Sequence, residues 1–313
     1  MAFFYSYSVV TAHGNLPQLV RELQEALEQG QHEQMRIPLR EVMSGESAPG
    51  VFLSMPAVSE RLGIYINKVA TIFERSMTDA RSTVNAVVVA FSARSGELLA
   101  MLEGGAVTSL KCAAVSALVT DWCARPEAQV LAIAGTGVQA RQQVVGVCSV
   151  RPIREVRLWA RNALRCTAFA SELRASLGEG VRVIPCEFIE DAIRTADVIG
   201  TATSAKVPLA RFSGLRPDVH INCMGGHAVE SREVPVELLR TSTLIVEDVV
   251  TAVAEAGAVH AGALSLGQLV ERERGPLQAC RTIFSSTGHA FLDVITTAHL
   301  LRRLQGQGDG QGS

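Results

Sequence analysis

No stretch of the sequence approaches the roughly 20 consecutive apolar residues that a membrane-spanning helix needs, so no membrane association is expected. Basic blocks are missing as well: Lys+Arg number 29 against 31 Asp+Glu, for a formal net charge of −2. That balance excludes nucleic acid as an expected partner. Aromatic residues are sparse, with three Tyr and two Trp, too few to suggest a base-stacking surface. The seven cysteines, Cys112, Cys123, Cys148, Cys166, Cys186, Cys223 and Cys280, contain no C-x-x-C and have no histidine pair of zinc spacing near them. An odd count scattered through expected strands and helices points to reduced, mostly buried thiols and to no metal site. The start, MAFFYSYSVV, lacks the basic region and cleavage pattern of a signal peptide, so a cytoplasmic protein is expected. No repeat of solenoid length is present.

What the chain does have is size and apolar content. At 313 residues and 48% hydrophobic, it can bury a large core and suits two domains better than one. Residues 16–29 place Leu16, Leu19, Val20, Leu23 and Leu27 on one helical face, with Asn15 as cap and Gly30 as stop. From 36 to 102 the pattern changes to strands, at 51–55, 64–73, 84–91 and 98–102, with Ser95-Gly96 as a hairpin turn. No helix interrupts them, so a mainly antiparallel sheet is predicted. Residues 108–124 read as a linking helix, with Leu110, Ala114, Ala117 and Leu118 on one side.

Beyond residue 130 strands and helices alternate. Strands are predicted at 130–135, 155–160, 181–185, 197–202, 220–225, 243–247 and 282–286. This alternation argues for a doubly wound parallel sheet, whose ligand lies beyond the carboxyl ends of its strands. Residues 289–304 complete the pattern as an amphipathic helix, and 305–313 form a Gly/Gln tail expected to be disordered.

The stretch 130–140, VLAIAGTGVQA, carries the chemistry that can be read most directly. An apolar strand runs into Gly135-Thr136-Gly137 and then a helix beginning with Val138, Gln139 and Ala140. This is the G-x-G-x-x-A form of the dinucleotide fingerprint. With 26 glycines in the chain, about two G-x-G patterns arise by chance, and the strand before it and the second strand about twenty residues on give this one its weight. At the end of that second strand the sequence is Trp159-Ala160-Arg161-Asn162. An acid there would bind the ribose hydroxyls of NAD; its absence and the Arg favour NADP(H).

The motifs GTGVQA, Thr203-Ser204, INCMGG followed by SREVPVELL, and SSTGHAFLD together resemble the ornithine cyclodeaminase/mu-crystallin family. Pro38-Leu39-Arg40, Met55-Pro56, NKVATIF, SGELLAMLEG and VTSLKCAAVSAL agree in order and spacing. The resemblance implies a homodimer. Each subunit would pair an α+β dimerisation and substrate domain, residues 1–118 with 289–304, with a Rossmann domain at 119–288. It further implies an NAD(P)-dependent enzyme that moves hydride at the α-carbon of a small imino, amino or keto acid. A true ornithine cyclodeaminase and a non-catalytic NADP(H)-binding crystallin-like protein are the alternatives.

Carried over by position, Gly135, Thr136, Gly137, Val138 and Gln139 would hold the pyrophosphate, and Arg161 and Asn162 the adenosine ribose. Thr201, Ala202, Thr203, Ser204, Met224 and Gly225 would hold the nicotinamide half. Arg40, Lys68 and Lys111 would bind the substrate, with Lys68 also carrying a proton. Two positions depart from the family pattern. Lys111 stands where an arginine is usual, losing the two-pronged grip on a carboxylate. His227 follows the paired glycines where cyclodeaminases carry Asp, which disfavours a substrate with a distal amine and makes His227 a candidate acid or base.

Overall fold

The computed structural model describes residues 3–44, 50–73, 83–225, 228–229 and 232–305. In chain order the first elements are strand β1 (Phe3–Tyr5), helices α1 (Tyr7–His13) and α2 (Leu16–Glu28), and strand β2 (Glu41–Ser44). Strands β3 (Gly50–Ser59), β4 (Ile64–Phe73), β5 (Val84–Ser92) and β6 (Leu98–Glu103) lead into helix α3 (Gly104–Cys123). Next come β7 (Val130–Ala134), α4 (Val138–Val150), β8 (Glu155–Trp159), α5 (Ala163–Leu177), β9 (Arg182–Pro185) and α6 (Ile189–Ile193). They are followed by β10 (Val198–Thr201), β11 (His220–Cys223), α7 (Val236–Arg240), β12 (Thr243–Val246) and α8 (Val249–Ala256). The chain ends with β13 (Leu264–Ser265), α9 (Leu266–Val270), α10 (Arg274–Gln278), β14 (Thr282–Ser285) and α11 (Ala290–Gln305). Two compact units result, residues 1–111 with 289–313 and residues 112–288.

The first unit is built on a six-stranded sheet of order β1-β6-β5-β4-β3-β2. Its pairings are antiparallel except for β1, which runs parallel to β6. Along β4 the side chains of Ile64, Ile66, Lys68 and Ala70 are buried while Val69 is exposed, the period-2 pattern of a sheet with one covered face. The hairpin from β5 to β6 turns at Gly96, whose φ of +74° suits glycine. Helix α2 starts where Asn15 accepts a hydrogen bond from the Gln18 amide at 3.0 Å, and buries Leu19, Leu23, Ala26 and Leu27. Strands β1, β2 and β13, of three, four and two residues, leave no periodicity in the sequence and exist because a longer neighbour offers them a ladder.

Helix α11 departs from expectation. The spacing predicts an amphipathic helix, yet every residue from Ala290 to Leu301 is buried. It packs against β3 and β4 on one side and α2 on the other, so no stripe is left for solvent. Its polar residues Asp293, Thr296, Thr297 and His299 are therefore interior groups.

The second unit carries an eight-stranded, wholly parallel sheet of order β13-β12-β14-β11-β10-β7-β8-β9. This is the doubly wound arrangement. From β7 the chain steps outward through β8 to β9, then returns to place β10 on the other side of β7. Leu131 and Ile133 of β7 enter one apolar cluster, and Ala132 and Ala134 the other, as a strand covered on both faces requires. The switch point, where a doubly wound sheet takes its ligand, lies between the carboxyl ends of β7 and β10. No helix among the described residues is long and apolar enough to cross a membrane.

Candidate functional site

In the first unit two of the anticipated substrate residues meet. Lys68, inward-facing on β4, and Lys111, on α3, are 6% and 3% exposed. The group that joins them is Asp293, fully buried in the first turn of α11. Lys68 Nζ donates to Asp293 Oδ1 at 3.0 Å and to Oδ2 at 3.2 Å, and Lys111 Nζ donates to Oδ2 at 2.9 Å. Sequence reasoning passed over Asp293, although its motif SSTGHAFLD was in view. A cue existed in composition: the chain has only three lysines, Lys68, Lys111 and Lys206, and two buried ammonium groups demand a counter-ion.

Within the triad two ammonium groups face one carboxylate, and all three are buried. Burial brings the Lys68 pKa down to about 8, with Lys111 adding repulsion and Asp293 opposing both. Burial alone would raise the Asp293 carboxyl, but Lys111 and Lys68 outweigh it and hold the group below its usual range. Such an arrangement can receive an anion and contains a group able to donate a proton. Arg40 lies half-buried ahead of β2 in the same unit. His227 lies outside the described residues.

In the second unit the glycine turn has the geometry its sequence predicts. Gly135 takes φ +123°, and a Cβ there would sit 2.4 Å from the carbonyl oxygen of Ala202. Its amide donates to Trp159 O at 2.9 Å, tying the ends of β7 and β8. Gly137 is the N-cap of α4 without a side-chain cap bond, and a Cβ on it would meet nothing within 4 Å. The first amides of α4 are thus left for an outside acceptor, at the positive end of a 13-residue helix. Beside them Oε1 of Gln139 is buried with no hydrogen-bond partner. The open turn and the first amides of α4, which are donors, fit a dinucleotide pyrophosphate.

Arg161 is exposed just past β8. Asn162 accepts from the Arg165 amide at 3.0 Å and so caps α5. The ends of β10 and β11, residues 201–204 and 224–225, converge on one side chain that sequence reasoning missed, Glu233, which is fully buried. Gln143, also missed, is buried in α4 and donates to Thr201 O at 2.9 Å. Among the cysteines near these ends, burial pushes the Cys223 thiol well up, which makes it a poor nucleophile. No group of three or more His, Cys, Asp or Glu that could hold a metal occurs among the described residues.

The model of the ornithine cyclodeaminase/mu-crystallin family matches residues 2–307. A Delta(1)-pyrroline-2-carboxylate reductase of Bacillus cereus is 29% identical, over 95% of this chain and 94% of its own. The ketimine reductase mu-crystallin of Rattus norvegicus is 32% identical over 82% of each chain. The solved structure of Thermococcus litoralis Delta(1)-pyrroline-2-carboxylate reductase in complex with NADH and L-proline superposes with a TM-score of 0.90 at 25% identity. It covers 97% of this chain and 98% of that one.

Proposed function

The chain belongs to the ornithine cyclodeaminase/mu-crystallin family, and we propose that it reduces a small α-imino acid, cyclic or linear, with a nicotinamide cofactor. The observation that carries this reading is the buried Lys68–Asp293–Lys111 triad, in which two ammonium groups share one carboxylate. An α-carboxylate is the anion these lysines receive, and Arg40 supplies a further cation from the same unit. Lys111, as a point charge rather than a planar fork, holds one carboxylate oxygen and leaves orientation to its neighbours. Lys68, with Asp293 fixing its ammonium, donates a proton to the substrate nitrogen as the α-carbon is reduced. Both lysines are buried, so the carboxylate is gripped in a low-dielectric setting where charge pairing is strong.

When bound, the nicotinamide supplies the hydride. Gly135, Thr136, Gly137, Val138 and Gln139 hold the pyrophosphate, and Thr201 to Ser204 with Met224 and Gly225 hold the nicotinamide half. Arg161, with no acid beside it, favours NADP(H). Asn162 already serves as a helix cap through its carbonyl oxygen, leaving its amide group to face the ribose.

A second copy of the chain covers the outer face of the six-stranded sheet. Phe4, Phe52 and Val69 on that face are 58%, 37% and 44% exposed, and Val69 lies opposite Val87 in the register. Exposed apolar side chains on one face of a sheet support a homodimer. The setting is cytoplasmic, in keeping with the absence of a disulfide among the described residues.

The test is a reductase assay with NADPH and NADH against Δ1-pyrroline-2-carboxylate and against the linear imine formed from pyruvate and methylamine. Oxidation of cofactor with formation of the amino acid is expected. No turnover at high protein concentration would overturn the proposal. Proline and ammonia from ornithine, without net cofactor reduction, would assign a cyclodeaminase instead.

A further inference from the structure

The carboxylate of Glu233 has all four of its acceptor positions filled, and each partner belongs to the end of a strand at the ligand edge of the parallel sheet. Oε1 accepts from the amide and the hydroxyl of Thr203, both at 2.6 Å. Oε2 accepts from the Thr201 hydroxyl at 2.7 Å and from the Gly225 amide at 2.9 Å. The residue's own backbone joins in, its carbonyl accepting from Leu209 N at 2.9 Å. From Thr203 the chain of bonds continues, since its hydroxyl accepts from the Ala205 amide at 3.2 Å. Gly225 is shaped by this contact, because a Cβ there would lie 2.3 Å from the carboxyl carbon.

A buried carboxylate is costly unless it is fully paired. No cation is among these four partners, which are hydroxyl and amide donors taken from two separate loops. The arrangement spends a buried charge on fixing where residues 201–203 lie relative to residue 225. None of the four donors belongs to the glycine turn or to α4.

We propose that Glu233 is a positioning residue for the nicotinamide half of the cofactor site, locking the β10 and β11 ends into the spacing that the ring and its ribose require. This rests on the nicotinamide-dependent reading above. The residue acts through Thr201, Thr203 and Gly225 and donates nothing to the reaction.

Glu233→Gln is the informative variant. It conserves shape but puts an NH2 group where one oxygen stood, so it must face either the Thr203 or the Gly225 amide, donor against donor. The threonine hydroxyls can rotate to accept, but a backbone N–H cannot. Calorimetric titration would compare NADPH with 2′-phospho-ADP-ribose, and NADH with ADP-ribose, the second ligand of each pair lacking the nicotinamide. The variant is expected to bind the whole cofactor at least about tenfold more weakly, the scale of losing one hydrogen bond to a charged group, while binding the truncated ligand within about twofold of wild type. Thr203→Val, which deletes one donor and leaves the acid in place, should shift in the same direction by a smaller factor. Equal weakening of whole and truncated ligands would overturn the proposal, because it would mean Glu233 supports the unit generally. Unchanged binding of both would overturn it too. If the wild-type protein bound neither NADPH nor NADH, the nicotinamide reading itself would fall.

Discussion

Asp293→Asn isolates the electrostatics of the substrate site. The variant keeps the side chain's shape but removes the carboxylate that Lys68 and Lys111 contact at 2.9–3.2 Å. Both buried ammonium groups then lose the carboxylate they share, and deleting one member of a buried ion pair costs about 3–5 kcal/mol. The upper limit follows from the lysines' means of escape. Releasing a proton costs about 1.4 kcal/mol for each pH unit below an unfolded pKa near 10.4, or about 5 kcal/mol at pH 7. Lys68, whose pKa burial has already brought down to about 8, is the group that deprotonates.

The pH dependence has a definite sign. In the variant the folded state lacks a proton that the unfolded chain holds, so stability rises with pH from 7 upward. In the wild type the same release begins only near pH 8. The gap between the two therefore narrows by about 1.4 kcal/mol from pH 7 to 8 and stays level above that. Thermal unfolding followed at pH 7 and pH 9 measures both quantities. At roughly 3 °C per kcal/mol for a unit of this size, the variant should melt roughly 10 °C lower at pH 7. A variant within about 2 °C of wild type at pH 7, less than 1 kcal/mol on that scale, or a gap that widens with pH, would refute the reasoning.

Five further outcomes are expected. The kcat/KM for the imino acid should decline above pH 8 as Lys68 loses its proton, while cofactor affinity stays flat over the same range; initial rates at constant ionic strength decide it. Gly137→Ala should unfold within about 1 kcal/mol of wild type, because its Cβ enters open space, yet bind NADPH at least about tenfold more weakly. Gly135→Ala should do the reverse first, melting several degrees lower, as its φ of +123° and the Ala202 carbonyl at 2.4 Å leave no room. Arg161→Gln should weaken NADPH about tenfold with little change for NADH, measured by fluorescence titration. Val69→Glu, on the 44% exposed outer sheet position, should sediment as a monomer if that face joins two copies.

The glycine turn shows what local sequence can specify. A strand-then-G-x-G-x-x-A stretch constrains the backbone of a few consecutive residues, and Gly135 and Gly137 adopt the roles that their missing side chains permit. Strand β4 was legible for the same reason, since period-2 burial is written into residues 64–70. Helix α11 was not. Its solvent exposure depends on whether one or two layers pack against it, and only the fold places it between the sheet and α2.

The candidate residues of the two units divide in the same way. The sequence by itself determined that a G-x-G-x-x-A turn follows an apolar strand and that no acid follows β8, and through its family motifs it pointed to Lys68 and Lys111. The tertiary structure alone decided that Asp293, 182 positions from Lys111, is the counter-ion to both lysines, and that Glu233 gathers loops some thirty positions before it. The physical reason is that a buried charge must be paired by whatever the fold brings within hydrogen-bond reach, and at such separations no local periodicity records which residue that will be.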